Sequence, residues 1–313
     1  MVIPMKYSVG VDFGGTKVSV ALVDDKGHIV EKSILPSGME KRCRAMVAQV
    51  SDEIKCILKR YGLQLGELYS IGVGIPGTAD REKKIALLCP NLAWDNEPIG
   101  EFFIDELGVD IHLIQDTRAA AIAELVYGVG RRFTDFICVV VGTGISCGIV
   151  IDSKIYHGAF NTSGELGDIV IEKDGRLCNC GNRGCLEQYV SGVGIISIAM
   201  ERFPKDLQGM PETAKSVFDL AESGHEGAIL LLMEANEKLA LCLAAAINLL
   251  SPQAVVISGG ICENEEFFMK PLKHSINKFA YKLWVLQNPN GVFKSDLTSE
   301  APLIGAASQH KLQ

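Results

Sequence analysis

Two stretches of this chain repeat one pattern. Residues 11–30 read "VDFGGTKVSVALVDDKGHIV" and residues 139–158 read "VVVGTGISCGIVIDSKIYHG". Each is a β-branched run, a tight turn of glycine and threonine, a second β-branched run, a turn containing Asp and Lys, and a third short strand. A glycine-turned hairpin built twice, more than a hundred residues apart, predicts two related lobes. Strands alternate with helical stretches around both copies, so the fold class is α/β.

The helical stretches carry apolar residues at helical spacing. They are "EKRCRAMVAQVSDEIKCILKRYG", ending at Gly62, "TRAAAIAELVYGVG", "SVFDLAE", "EGAILLLMEANEKLALCLAAAINLLSP", "NEEFFMKPLKHSINKFAYKLW" and a final "PLIGAASQHK". Further strands are expected in "LYSIGVGIPG", "DIHLIQD" and "AVVISGG". No low-complexity linker separates the halves. The expected division is a small lobe of residues 1–118 with the C-terminal helix at about 300–313, and a large lobe of residues 119–299.

The 313 residues carry a net charge of −8, which argues against a general nucleic-acid binder. No apolar stretch is long and uncharged enough for a membrane helix, and the N-terminus lacks the pattern of a signal peptide, so the expectation is a cytoplasmic protein. Seven of the ten cysteines are scattered and read as small core residues. The other three crowd into "CNCGNRGC" as Cys178, Cys180 and Cys185. Thiolates this close in a reducing compartment are better zinc ligands than disulfide partners.

Each glycine turn exposes backbone N–H groups and a hydroxyl that can hold phosphate oxygens. Asp12 adds a carboxylate at the end of the first strand. It repels phosphate directly but suits a hydrated Mg²⁺ bridging phosphates. Asp116 in "LIQDTRAAAIAE" stands between a strand end and a helix start, where an N-cap aspartate is the plain alternative to a catalytic one. Asn91 in "LLCPNLAW" reads by itself as part of a Pro-Asn turn.

The paired "DFGGT" and "GTG" turns resemble those of the sugar kinase, actin and Hsp70 ATPase superfamily, whose fold is two-lobed, with duplicated lobes around a cleft. The resemblance implies that Asp12, Gly14, Gly15, Thr16 and Lys17 face the phosphates of ATP with Mg²⁺. It sets Gly142, Thr143 and Gly144 on the other lobe, and makes "VVISGGI", with Gly259 and Gly260, the adenosine segment. The stretch "GELGDIVIEKDGRLCNCGNRGCLEQYVSG" resembles the ROK family of repressors and sugar kinases, whose pattern is "ExGH" followed by "CxCGxxGCxE". Glu165, Gly167, Cys178, Cys180, Gly181, Gly184, Cys185 and Glu187 match, and Asp168 stands where the family carries histidine.

That resemblance implies an ATP-dependent hexose kinase. Asp116 would be the general base, acting most often on O6, and Asn91, Glu165, Asp168 and Glu187 would bind the sugar. Cys178, Cys180 and Cys185 would hold a structural Zn²⁺. Its fourth ligand is Asp168, water, or another side chain such as His157. Arg118, where the family carries a second asparagine, either lowers the pKa of Asp116, contacts phosphate, or points to solvent. Glucose is the family's default substrate, with N-acetylmannosamine, N-acetylglucosamine, allose, fructose and mannose within its range. The alternative is a sugar-sensing ROK protein without kinase activity. Repressors of the family carry a helix-turn-helix ahead of the first strand, and the ten residues before "VDFGG" are too few for one. The family admits homodimers, and no sequence feature calls for one here.

Overall fold

The computed structural model describes residues 6–38 and 42–312. Glu40 and Lys41, read above as the start of a helix, lie outside the described residues, as do the first five. In chain order the strands and helices are β1 (Tyr7–Phe13), β2 (Lys17–Asp24), β3 (Ile29–Pro36), α1 (Cys43–Tyr61), β4 (Leu68–Ile75), β5 (Thr78–Asp80), β6 (Ile85–Cys89), β7 (Trp94–Glu97), α2 (Ile99–Leu107), β8 (His112–Gln115) and α3 (Asp116–Val126). Then follow β9 (Phe136–Val141), β10 (Ile145–Ile151), β11 (Lys154–Tyr156), α4 (Glu187–Val190), α5 (Gly192–Arg202), α6 (Ala214–Glu222), α7 (Glu226–Leu250), β12 (Ala254–Ser258), α8 (Lys270–Phe279), α9 (Lys282–Gln287), β13 (Val292–Lys294) and α10 (Ala301–Ala307).

Contacts divide the chain into a unit of residues 1–134, 148–163 and 300–313, and a unit of residues 135–147 and 164–299. The helix α3, at whose head the sequence suggested a boundary, therefore lies wholly within the first unit. The first unit holds a sheet of order β3-β2-β1-β4-β8, in which β2 runs antiparallel to β1 and β3 while β4 and β8 continue in parallel. The second five-stranded sheet has order β11-β10-β9-β12-β13, with β12 parallel to β9 and to β13. Both sheets follow the same order of third, second, first, fourth and fifth strand. The duplicated hairpin is thus the visible part of a duplicated sheet.

In the first unit, β1 and β4 are central and read as nearly continuous apolar runs, as strands covered on both faces do. Val9, Val11, Phe13, Val73 and Ile75 share one core with Met46, Val50, Ile54 and Ile57 of α1 and with Phe103 of α2. The spacing of the α1 residues puts them on one helix face, and α1 stops at the left-handed Gly62 (φ 65°). The other side is covered by α10, where Leu303 and Ala307 join Ala21 and Val23. This approach requires glycine beneath it, since a Cβ on Gly10 would overlap the carbonyl of Leu303 and one on Gly72 that of Ala306.

The helices α2 and α5 and the strand β13 were not named in the sequence reading, and two further stretches fold differently from it. Residues 78–97 form a small antiparallel sheet, β5-β6-β7, where only turns were expected. Its strands are three to five residues long, too short to display an alternation, and left-handed residues such as Lys84 and Ala93 interrupt it. The stretch 264–284, read as one helix, is a π-turn at Glu265–Met269 followed by α8 and α9, with extended backbone at Ala280 between them. Pro271 lacks the N–H that a continuing helix would use, and the carbonyl of Phe267 is taken by buried Asn236 Nδ2 at 2.8 Å.

Candidate active site

In the first unit, parallel pairing sets Asp12 of β1 opposite Gly74 of β4. A Cβ on Gly74 would stand 3.6 Å from Asp12 Oδ1 and 3.8 Å from the Asp116 Cα, so a bare backbone separates the two acids. Crowded against the sheet end, both are pushed up. Asp12 rises to about 7, first by desolvation and then by the charge of Asp116, against the pull of Lys17 and Lys32. Asp116 rises to about 6 by desolvation, opposed by hydrogen bonds from the Thr117 N–H at 2.6 Å and Thr117 Oγ1 at 3.2 Å, and by the charge of Arg118. The N-cap of α3 is Gln115 rather than Asp116. Asp116 is the first helical residue, and its carboxylate accepts from the next amide along the chain.

The turn after β1 is closed by the Gly14 N–H donating to Lys17 O at 2.9 Å and braced by Ser37 Oγ on Gly14 O at 2.6 Å. This leaves Thr16 and Lys17 exposed at the tip, with Gly15 beside them half-buried. Asn91 is exposed in the turn Pro90–Leu92 between β6 and β7. The small sheet is anchored there by Trp94, whose buried ring meets Phe13 edge-on at 5.2 Å. Cys89, two residues before Asn91, feels the charge of Asp116 after its own burial, which pushes its thiol up to about 12. The first unit therefore gathers Asp12, Asp116 and the Asn91 turn at one end of its sheet. Arg118 does not point to solvent: it is 1% exposed, and its Nη2 donates to the carbonyls of Asn161 and Ser163.

The second unit gathers the remaining residues. Its glycine turn is closed by the Gly142 N–H on Gly144 O at 2.9 Å, and the Gly192 N–H at the head of α5 donates to Gly142 O at 2.8 Å. Glu187 Oε2 accepts from the Ile145 N–H at 3.1 Å and would touch any side chain placed at Gly144. Its carboxyl is pushed above the usual range by desolvation and by the charge of Asp168. Glu165 is half-buried ahead of the helical turn Leu166–Asp168, whose last residue, Asp168, is exposed.

Gly142 and Thr143 also line a cavity of about 750 Å³ with Gly260, Ile261 and the α5 residues Val193 and Ile196. Its opposite wall comes from α6 and the residue before it, with Thr213, Lys215, Phe218 and Asp219. A cavity of this size with an apolar lining and a few polar groups suits a nucleoside. Gly259 has φ +101°, and a Cβ there would overlap Val141 O, so only glycine lets β12 turn into the cavity. The α6 wall was absent from the sequence reading. The helix itself was legible, but nothing in its residues says what its apolar face covers.

The cysteine segment folds into a knuckle. The Cys178 N–H donates to Asn182 O at 2.8 Å, and Gly184, at φ +80°, presses so close to Glu172 O that no Cβ fits. Donor atoms of Asp168, Cys178, Cys180 and Cys185 all lie within 4.8 Å of one another. Cys180 Sγ is 3.5 Å from Cys185 Sγ, and Cys178 Sγ is 3.9 Å from Asp168 Oδ1. Tetrahedral zinc at about 2.3 Å from sulfur needs ligand separations of about 3.8 Å, so this donor set fits the ion. Burial and the two neighbouring thiols push Cys185 up to about 12, and a bound divalent cation would reverse that preference. His157, the other ligand considered, offers Nε2 to Arg81 Nη1 at 2.6 Å and is pushed down to about 4 by burial and by Arg81 and Arg118.

Comparison with known proteins matches residues 8–311 to the model of the ROK family. A glucokinase of Thermotoga maritima is 31% identical over 97% of this chain and 97% of its own. A xylose repressor of Caldicellulosiruptor bescii is 25% identical over 87% of this chain and 70% of its own. Among solved structures, a ROK family glucokinase from Streptomyces griseus in complex with glucose and AMPPNP superposes with a TM-score of 0.80, at 27% identity over 96% of this chain and 98% of that one. Among the described residues, no helix is long and apolar enough to cross a membrane.

Proposed function

The chain belongs to the ROK family, and from that membership we propose that it is an ATP-dependent kinase of a hexose or hexose derivative, transferring phosphate most often to O6. The observation that carries the reading is Asp116, a carboxylate held at a pKa of about 6 at the head of a helix. Such a group is ionised at neutral pH yet basic enough to take a proton from an alcohol. The likeness to glucokinases from two organisms supports the same reading.

Asp116 accepts the hydroxyl proton as the sugar oxygen bonds to the γ-phosphorus, and the bond to the bridging oxygen breaks with its electron pair leaving on ADP. The adenosine lies in the cavity against Val193, Phe218 and Ile261, with Gly259 and Gly260 giving the backbone room. The turns Gly14–Lys17 and Gly142–Gly144 hold phosphate oxygens, and Asp12 faces hydrated Mg²⁺, which offsets phosphate charge. Asn91, Glu165, Asp168 and Glu187 accept hydrogen bonds from sugar hydroxyls. Cys178, Cys180, Cys185 and Asp168 hold Zn²⁺, which stiffens the segment carrying Glu187. The work belongs in the cytoplasm, where ATP is found and thiols stay reduced.

The test is ADP release with glucose, N-acetylmannosamine, N-acetylglucosamine, allose, fructose and mannose, using Asp116→Asn as the inactive control. Turnover of one of these, lost in the variant, supports the kinase. A second reading, a sugar sensor without kinase activity, is favoured by the xylose repressor among the relatives and by the replacement of the expected histidine with Asp168. Measurable sugar binding with no turnover for any of the panel would select it.

A further inference from the structure

Arg118 lies in the first turn of α3, two residues beyond Asp116, and is 1% exposed. A guanidinium so buried is costly unless its donors are met. Nη2 meets two carbonyls, Asn161 O at 2.9 Å and Ser163 O at 2.8 Å. Both belong to the loop of residues 157–163 that follows β11. The loop closes on itself through the Ser163 N–H on His157 O at 3.3 Å and Ser163 Oγ on Tyr156 O at 2.6 Å. Asn161 sits at φ +57°, a left-handed backbone that asparagine tolerates. The guanidinium donates to the carbonyl of this turn residue and so ties the loop to α3.

We infer that Arg118 is a positioning residue for phosphoryl transfer, latching the 157–163 loop to the head of α3 so that the acceptor sugar meets loop and base as one rigid surface. The inference rests on the kinase reading above. The latch and Asp116 share a single helical turn, so slack in one is felt at the other. A misplacement of about 1 Å near a reacting group costs about a hundredfold in rate. The charge of Arg118 also draws the Asp116 carboxyl down against its burial, a second effect with the same origin.

The full-length protein serves for the test, with Arg118→Met, which keeps length without donors, and Arg118→Lys, which keeps charge and can donate to these carbonyls. Amide hydrogen exchange is read without nucleotide. In Arg118→Met the 157–163 amides should exchange at least about tenfold faster while β1 and α7 keep wild-type protection. In ADP release with the preferred sugar, kcat per folded molecule should fall about a hundredfold with KM within about threefold. Arg118→Lys should recover at least about a tenth of wild-type kcat and most of the loop's protection. Unchanged loop exchange in Arg118→Met overturns the latch. A loosened loop with unchanged kcat reduces Arg118 to a structural role and overturns the inference. If the wild type turns over no sugar, the kinase reading fails and the positioning inference falls with it, while the exchange result still reports whether the latch exists.

Discussion

The places of Asp12 in the first strand and of Asp116 between a strand end and a helix start were legible in the sequence, while their roles came only from the family resemblance and their electrostatics from neither. A pKa depends on how much water the folded chain leaves at the carboxyl, and on a second acid brought across the sheet. With Asp116 at about 6, the proposed base is ionised above that pH. The kcat/KM for sugar should therefore rise tenfold per pH unit below about 6 and level off above it, measured as ADP release between pH 5 and 9. A flat profile through that window would remove Asp116 as the base. Asp12 yields a prediction of the opposite kind. Its folded pKa of about 7 lies above the ordinary aspartate value of 3.8, so the native state binds the proton more tightly. Stability linked to this group is full below about 4 and is lost as pH rises toward 7. At pH 8 the ligand-free Asp12→Asn protein should be more stable than wild type by about 2–4 kcal/mol in denaturant melts, while losing phosphoryl transfer. A destabilised Asp12→Asn would mean that the carboxylate is not strained in the fold. Arg118 shows the limit of reading residues singly. Its place in the sequence was plain, but which way the side chain turns was decided by the carbonyls of a loop some forty residues away.

The long strands of both five-stranded sheets were readable at the element scale, since β-branched runs broken by glycine turns carry enough residues to show their period, whereas β13, three residues long, was not read. The three-stranded sheet of residues 78–97 was not, because strands of three to five residues leave no period to detect. The break between α8 and α9 was hidden for another reason. The apolar stripe of residues 264–284 continues across it, and only tertiary contacts such as the Tyr281 N–H on Asn248 Oδ1 at 2.8 Å show that the helix is interrupted. What the sequence leaves unsaid about glycine is sharper still. Gly10 and Gly72 look like ordinary strand residues, yet they let α10 lie directly on β1 and β4. Gly72→Ala would drive a methyl into Ala306 O. The helix must lift or the strand must bend, which should cost about 2–4 kcal/mol as a lowered midpoint in chemical denaturation. Gly66→Ala, where a Cβ meets open space within 4 Å, is the control and should stay within about 0.5 kcal/mol of wild type. Equal effects at both sites would contradict the close approach of α10.

For the molecule as a whole, the metal question decides how the second unit is held together. Residues 164–186 contain no long helix or named strand. They are held by short bridges between Leu177 and Arg183 and between Val170 and Cys185, by backbone bonds such as the Leu186 N–H on Ile169 O, and by Arg176 on Glu201 and Ser197, to which a metal on the four donors would add. The Cys180 and Cys185 thiols, both raised first by burial, gain little from lying together unless a cation takes their protons' place. The segment also leads straight into Glu187, which accepts from the Ile145 N–H beside the glycine turn. Metal removal should therefore act locally before it acts globally. Elemental analysis of the purified protein should give about one zinc per chain, and Cys180→Ser should lower that stoichiometry. Chelation should speed amide exchange across residues 164–190 at least about tenfold while the first-unit strands β1 and β2 keep their protection. Asp168→His, which supplies the more common nitrogen ligand, should keep the zinc and slow its loss to chelator, whereas Asp168→Ala should hasten it. Zinc retained unchanged in Asp168→Ala would show that the carboxylate faces the sugar alone and that another group completes the ligand set.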